Sequence, residues 1–144
     1  MNSELANLKV EESWTVFEGD HNGKPLIARV NRGLLPLAGD SRYQHRVGVA
    51  VPFNSVGQNG LPSGEESWEV SEIEDLVAAE LELHHESLFA IAITTGGMRE
   101  FVFYTSDPQA VEKKLEALAQ RIRSHQIQRV IQPDERWTVY HQFV

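Results

Sequence analysis

The feature that most constrains this chain is a pair of apolar runs, Leu88–Thr95 and Arg99–Thr105, meeting at Gly96-Gly97. Both runs are rich in β-branched and aromatic residues, and a two-residue Gly-Gly connection suits the positive φ angles of a tight hairpin turn. Helical signals lie on either side. Upstream, Val70, Ile73, Leu76, Val77 and Leu81 recur at helical spacing, with carboxylates on the opposite face. Ser71 and Glu74 have the spacing of a capping box, and a start one turn earlier, near Ser67, also fits. Downstream, Asp107-Pro108 reads as an N-cap followed by proline at the first helical position, with Val111, Leu115, Leu118 and Ile122 as the apolar stripe. Arg46–Phe53 precedes the first helix as a strand stopped by Pro52, and Gln126–Gln132 follows the second. The order from residue 46 is therefore strand, helix, strand, strand, helix, strand. That is the plan of an α+β, ferredoxin-like βαββαβ core, an antiparallel sheet with both helices on one face.

Additions are expected at both ends. Trp14–Glu18 and Lys24–Arg32 read as an N-terminal β-hairpin around the turn residues Gly19–Gly23. Gly33–Tyr43 and Asn54–Gly64 carry loop signals, and Pro133-Asp134 reads as a break before a C-terminal strand over Trp137–Phe143. The 144 residues suit one domain with one core, residues 1–11 being its loosely held end. Hydrophobic residues make up 41% and charged residues 24%, which argues against a disordered chain. The opening Met1-Asn2-Ser3-Glu4-Leu5 lacks the basic-then-apolar pattern of a secretory leader, and no apolar run is long enough to span a membrane. Without cysteine the chain has no disulfide, thiolate metal site or cysteine nucleophile, which fits a soluble protein of the reducing cytoplasm.

The formal charge of −8 is concentrated. Nine of the 21 acidic residues fall in residues 61–86, which contain no Lys or Arg, and the rest of the chain is close to neutral. A phosphate backbone selects a basic stripe, so direct nucleic-acid binding is not expected. The acidic helix is either a solvated face or a docking surface for a basic protein partner, in which case Glu69, Glu72, Glu80 and Glu82 are the solvent-facing charges.

Strand alternation sorts the sheet into two faces. Val47, Val49, Val51 and Phe53, then Phe89, Ile91 and Ile93, then Phe101 and Phe103 are expected to face the helices. Gly48, Ala50, Ala90 and Ala92 are left as a floor on the other face, beside Glu100 and Tyr104. Small residues admit a close neighbour. It can be the chain's own N-terminal segment, a second copy in a homodimer, or a small ligand. In the ligand reading Glu100 is the polar anchor or base, Arg29 or Arg46 its anion partner, and Tyr104 the wall or donor; in the structural reading the same arginines simply pair a mid-sheet Glu.

Catalytic motifs are missing. There is no Gly-x-Gly-x-x-Gly, no P-loop and no Gly-x-Ser-x-Gly elbow, and Gly96-Gly97 joins two strands rather than a strand to a helix. No two of His21, His45, His84, His85, His125 and His141 have the i,i+4 spacing of a helical metal site, so neither a metal nor an organic cofactor is expected.

Several strings together resemble an uncharacterised bacterial family, domain of unknown function 695. They are Gly97-Met98-Arg99-Glu100-Phe101-Val102-Phe103-Tyr104, Leu61-Pro62 with Glu65-Glu66, Ile73-Glu74-Asp75, Ala28-Arg29-Val30-Asn31, and Asp134 with Trp137, Tyr140 and Phe143. The resemblance spans roughly residues 12–143. It implies no reaction, cofactor or catalytic set. Members are similar in plan to a protein inhibitor of ribonuclease E, so the resemblance implies an acidic regulatory module. The one-sided acidic helix and the lack of a convergent catalytic set lead to the same expectation, a non-enzymatic regulatory or protein-binding module, with a small-molecule binder or hydrolase using the open sheet face as the alternative.

Overall fold

The computed structural model describes residues 3–144. Six strands form one antiparallel sheet: β1 (Trp14–His21), β2 (Lys24–Asn31), β3 (His45–Pro52), β4 (Ser87–Thr95), β5 (Met98–Thr105) and β6 (Gln128–Pro133). Four α-helices accompany them: α1 (Ser3–Ala6), α2 (Gly64–Leu81), α3 (Pro108–Arg121) and α4 (Thr138–His141). The strand order is β1-β2-β4-β5-β3-β6. It differs from the order of a bare four-stranded sheet because the N-terminal hairpin joins the edge beside β4.

Local chemistry accounts for most boundaries. Gly96 and Gly97 take φ of +59° and +82°, the turn that two strands in register require. Asp107 caps α3 by accepting from the Ala110 N–H at 3.1 Å, with Pro108 opening the helix. Helix α2 begins earlier than either expected start: Ser63 is its N-cap and its hydroxyl accepts from the Glu66 N–H. Serine followed three residues later by glutamate occurs at Ser63/Glu66 and again at Ser71/Glu74, and the first one begins the helix.

The two faces carry separate cores. Helices α2 and α3 cover one, where Val47, Val49, Val51, Phe101 and Phe103 pack with Val70, Val77, Leu81, Val111 and Leu115. On the other face Leu88, Ile91, Val102 and Tyr104 pack under Leu5, Leu34, Tyr43, Trp137 and Tyr140. The chain's own ends therefore cover much of the second face. Each fully buried side chain of this size contributes about 1.5–3 kcal/mol.

Two expectations about these faces are corrected. A β-bulge between Phe89 and Ile91 breaks the alternation of β4, so Phe89 and Ala92 face the helices while Ile91 turns to the second core. Ala92 is thus no part of a small-residue floor. The expected C-terminal strand over Trp137–Phe143 is the short helix α4. Its turn is enforced by Asp134, whose carboxylate accepts from the backbone N–H groups of Thr138 at 2.8 Å and Val139 at 3.3 Å. Trp137 adopts φ +57° to deliver its indole into the second core, where Nε1–H donates to the Tyr43 carbonyl at 2.8 Å. Among the described residues, no helix is long and apolar enough to cross a membrane.

Candidate functional site

Helices α2 and α3 do not reach across the whole sheet. The β1–β2 hairpin extends past α2, and a groove of about 320 Å³ is left between them on the helix face. Its apolar lining is Val16, Ile27, Ala92, Leu61 and Pro62; its polar lining is Arg29, Arg99, Thr94 and Ser67. The loop carrying Leu61-Pro62 is fastened to the β4–β5 hairpin, since the Gly97 N–H donates to the Gly60 carbonyl at 3.0 Å and the Phe53 N–H to the Gly97 carbonyl at 2.8 Å.

Strand register brings the charges together. Arg29 lies opposite Ala92, and Thr94 is flanked by Ile27 on one side and Arg99 on the other, so both arginines project from the helix face. Helix α2 places Ser67, Ser71 and Glu74 along its edge nearest them. Arg29 Nη2 hydrogen-bonds to Glu74 Oε1, and Arg99 Nη1 lies 4.0 Å from the same oxygen. Arg99 is only 9% exposed; its Nε–H donates to Thr94 Oγ1 at 2.9 Å, and its remaining amines reach Ser71 Oγ at 3.3 Å and Ser67 Oγ at 3.4 Å. Burial pushes the Arg99 guanidinium below its ordinary pKa, against the pull of Glu74 and with the repulsion of Arg29. The Arg29 guanidinium also sits 5.9 Å from the Trp14 ring centroid, a cation–π distance. Two guanidiniums share one carboxylate, leaving one positive charge in excess beside an open, largely apolar groove. Such a site suits a small anion with an apolar body, because forked N–H donors match carboxylate and phosphoryl oxygens.

The residues singled out from the sequence scatter. Arg29 is in the groove, on the opposite face from Glu100, so it is not the anion partner of Glu100. Glu100 lies over Gly48, where a Cβ would stand 2.5 Å from its Oε2. Burial raises its pKa, while the nearby Arg46 lowers it. Arg46 itself bridges to Asp134 at 3.3 Å. Tyr104 is fully buried, stacks on Trp137 with ring centroids 4.0 Å apart, and donates its hydroxyl to Asp134 Oδ2 at 2.9 Å. It is a core residue, not the wall of a cleft. Gly48 is buried beneath Glu100, and what stays open beside it is half-buried Ala50 and Val130, the last 57% exposed.

The acidic run is divided too. Glu66 and Glu74 are buried and paired. Glu82 is not a free solvent-facing charge, because it accepts from the Phe89 N–H at 3.3 Å and burial raises its pKa. Glu69 is half-exposed beside His125, and Glu80 is half-buried. Glu72 and Asp75 are open to solvent, in company with Trp68 at 66% and Leu76 at 46% exposure.

Sequence reasoning missed Arg99, Ser67, Thr94 and Glu74 as one group. Ser71 and Glu74 resemble a capping box, which disguised their use along the helix edge. The available signal was an arginine on the helix-facing side of a central strand, since a buried guanidinium obliges partners to gather.

No curated protein and no solved structure matches the chain. A family model matches residues 12–144, nearly the whole length, under the description "Family of unknown function (DUF695)". The match includes every residue of the groove. The chain belongs to that family of unknown function.

Proposed function

We propose that this protein is a small-molecule-binding module whose groove between α2 and the β1–β2 hairpin takes a small anion, a carboxylate or phosphate monoester with an apolar substituent. The observation that carries the reading is that Arg29 and Arg99 both line the groove and converge on one buried carboxylate, Glu74. The volume, about 320 Å³, sits at the small end of ligand sites. Ser67 and Thr94 supply hydroxyls, and among the described residues lining the groove their neighbours are arginines and apolar groups, so the reading is binding rather than hydrolysis. A thermal-shift screen of aryl and alkyl phosphates and carboxylates tests it. A ligand at 100 times its Kd adds about 2.7 kcal/mol of stability, and a flat response across the panel contradicts the proposal.

A second reading is favoured by Trp68 and Leu76, large apolar side chains exposed on α2 among Glu72 and Asp75. It makes this face the dock for a basic protein segment, with the tryptophan as anchor. Replacing Trp68 by Ala and Glu72 by Lys abolishes partner capture in this reading, and capture unchanged by both ends it. The order β4-β5-β3-β6, with α2 and α3 on one face, supports a ferredoxin-like core extended by the hairpin. The cysteine-free sequence supports a cytoplasmic location.

A further inference from the structure

On the side of α2 near the end of α3, away from the arginine groove, a second cluster of polar side chains is independent of that reading. His125 follows α3 and its side chain is fully buried. Its Nδ1 lies 3.0 Å from Ser124 Oγ, which fixes the ring so that Nε2 points at α2. There it meets Glu66 Oε1 at 2.8 Å and Glu69 Oε2 at 3.9 Å. The two glutamates stand one turn apart on the same helix side, and Glu66 is oriented by the backbone N–H of Asn54 at 2.8 Å. The three donor atoms lie within 4.8 Å of one another.

We infer that His125, Glu66 and Glu69 form a binding site for a divalent first-row transition-metal ion, zinc being the probe of choice. Zinc bonds imidazole nitrogen and carboxylate oxygen at about 2.0–2.2 Å, so tetrahedral donors stand about 3.3–3.5 Å apart. The separations of 2.8 and 3.9 Å from Nε2 bracket that spacing, and the half-exposed Glu69 can close the longer one by a side-chain rotation. Ser124 acts on the far ring nitrogen as an orienting partner of the kind metal-bound histidines have. Glu66 and Glu69 also line a surface pocket of about 260 Å³ with Asn54, Ser55, Ser63 and Glu65, which gives an ion a route to the two carboxylates. One nitrogen and two carboxylates select zinc, manganese or iron over calcium, which prefers six or more oxygens. The bland alternative is a proton on Nε2 shared with Glu66.

Titrating zinc chloride calorimetrically into chelator-stripped protein separates the two. The inference expects one ion per chain, with affinity at least tenfold weaker in Glu69→Gln, whose metal-free melting temperature stays that of the native protein. Long-range ¹H–¹⁵N spectra of the native protein should show the His125 Nε2 resonance moving with zinc. No saturable binding in the native protein overturns the site. So does undiminished binding in Glu69→Gln, or a zinc-induced shift confined to other histidines.

Discussion

The two faces of the sheet treat buried polar groups in opposite ways. On the face sealed by the chain ends, Asp134 gathers two backbone N–H groups, the Tyr104 hydroxyl and Arg46, and aromatic rings close over it. Both oxygens of that carboxylate are taken up by the chain's own donors. On the helix face, Glu74 must serve two arginines at once, and the hairpin holds the site open. A polar cluster that satisfies itself under a lid is architecture; one with charge left over at an open groove is equipped to bind. The sealed side also holds a left-handed tryptophan, Trp137 at φ +57°, whose strain the dense packing around its fully buried indole compensates.

The largest expected effect comes from unsealing the second face. Trp137→Ala removes a fully buried indole and its hydrogen bond to Tyr43, and should cost about 3–5 kcal/mol in denaturant unfolding while leaving the groove's ligand response at low temperature intact. A cost below about 1 kcal/mol would show that the termini do not hold that face.

Asp134→Asn comes next, at about 2–4 kcal/mol, because it leaves donors around a neutral amide. Burial by itself raises the Asp134 pKa. Hydrogen bonds from the Thr138 N–H, the Tyr104 hydroxyl and the Val139 N–H outweigh that, so the net shift is downward. A carboxylate with a depressed folded pKa contributes stability above its unfolded value, about 3.9, and loses it as pH falls through the folded one. Acid unfolding curves of the native protein and the variant should therefore converge below pH 4 and separate above it.

These residues show how far the sequence was legible. The β4–β5 hairpin and α3 were readable because Gly96-Gly97 and Asp107-Pro108 are local signals acting within a few residues. The C-terminal segment was not. Trp137-Thr138-Val139-Tyr140 has strand propensity, and what overrides it is Asp134 capping a helix that exists to cover a distant core. The bulge in β4 leaves no mark in composition, yet it moves Ile91 and Ala92 to opposite faces. The groove was half legible: Arg29 was singled out on the wrong face, and its true partner, Glu74, is 45 residues away on another element. His125, Glu66 and Glu69 were each visible singly, but their grouping escaped notice for the same reason, since no short spacing links a residue after α3 to one turn of α2.

The smallest effect belongs to Glu100→Gln. Burial raises this carboxyl despite Arg46, so its ionisation opposes folding as pH rises past the ordinary carboxylate range. The variant should be more stable than the native protein at pH 7, by a few tenths of a kcal/mol after solvent screening, with the gain vanishing near pH 4. A loss of stability would mean that Arg46 depends on Glu100 more than on Asp134.

The contrast between the faces rests on buried Glu74 holding the groove's two arginines as an internal anion that competes with a ligand. Titration of phenyl phosphate, followed by amide NMR shifts, into the native protein, Glu74→Gln and Arg29→Gln tests this most directly. The account predicts shifts at Ala92, Thr94 and Ser67, with affinity about tenfold tighter in Glu74→Gln and about tenfold weaker in Arg29→Gln, each a change of about 1.4 kcal/mol. Shifts absent from those residues, or affinities that do not move in opposite directions in the two variants, would contradict it.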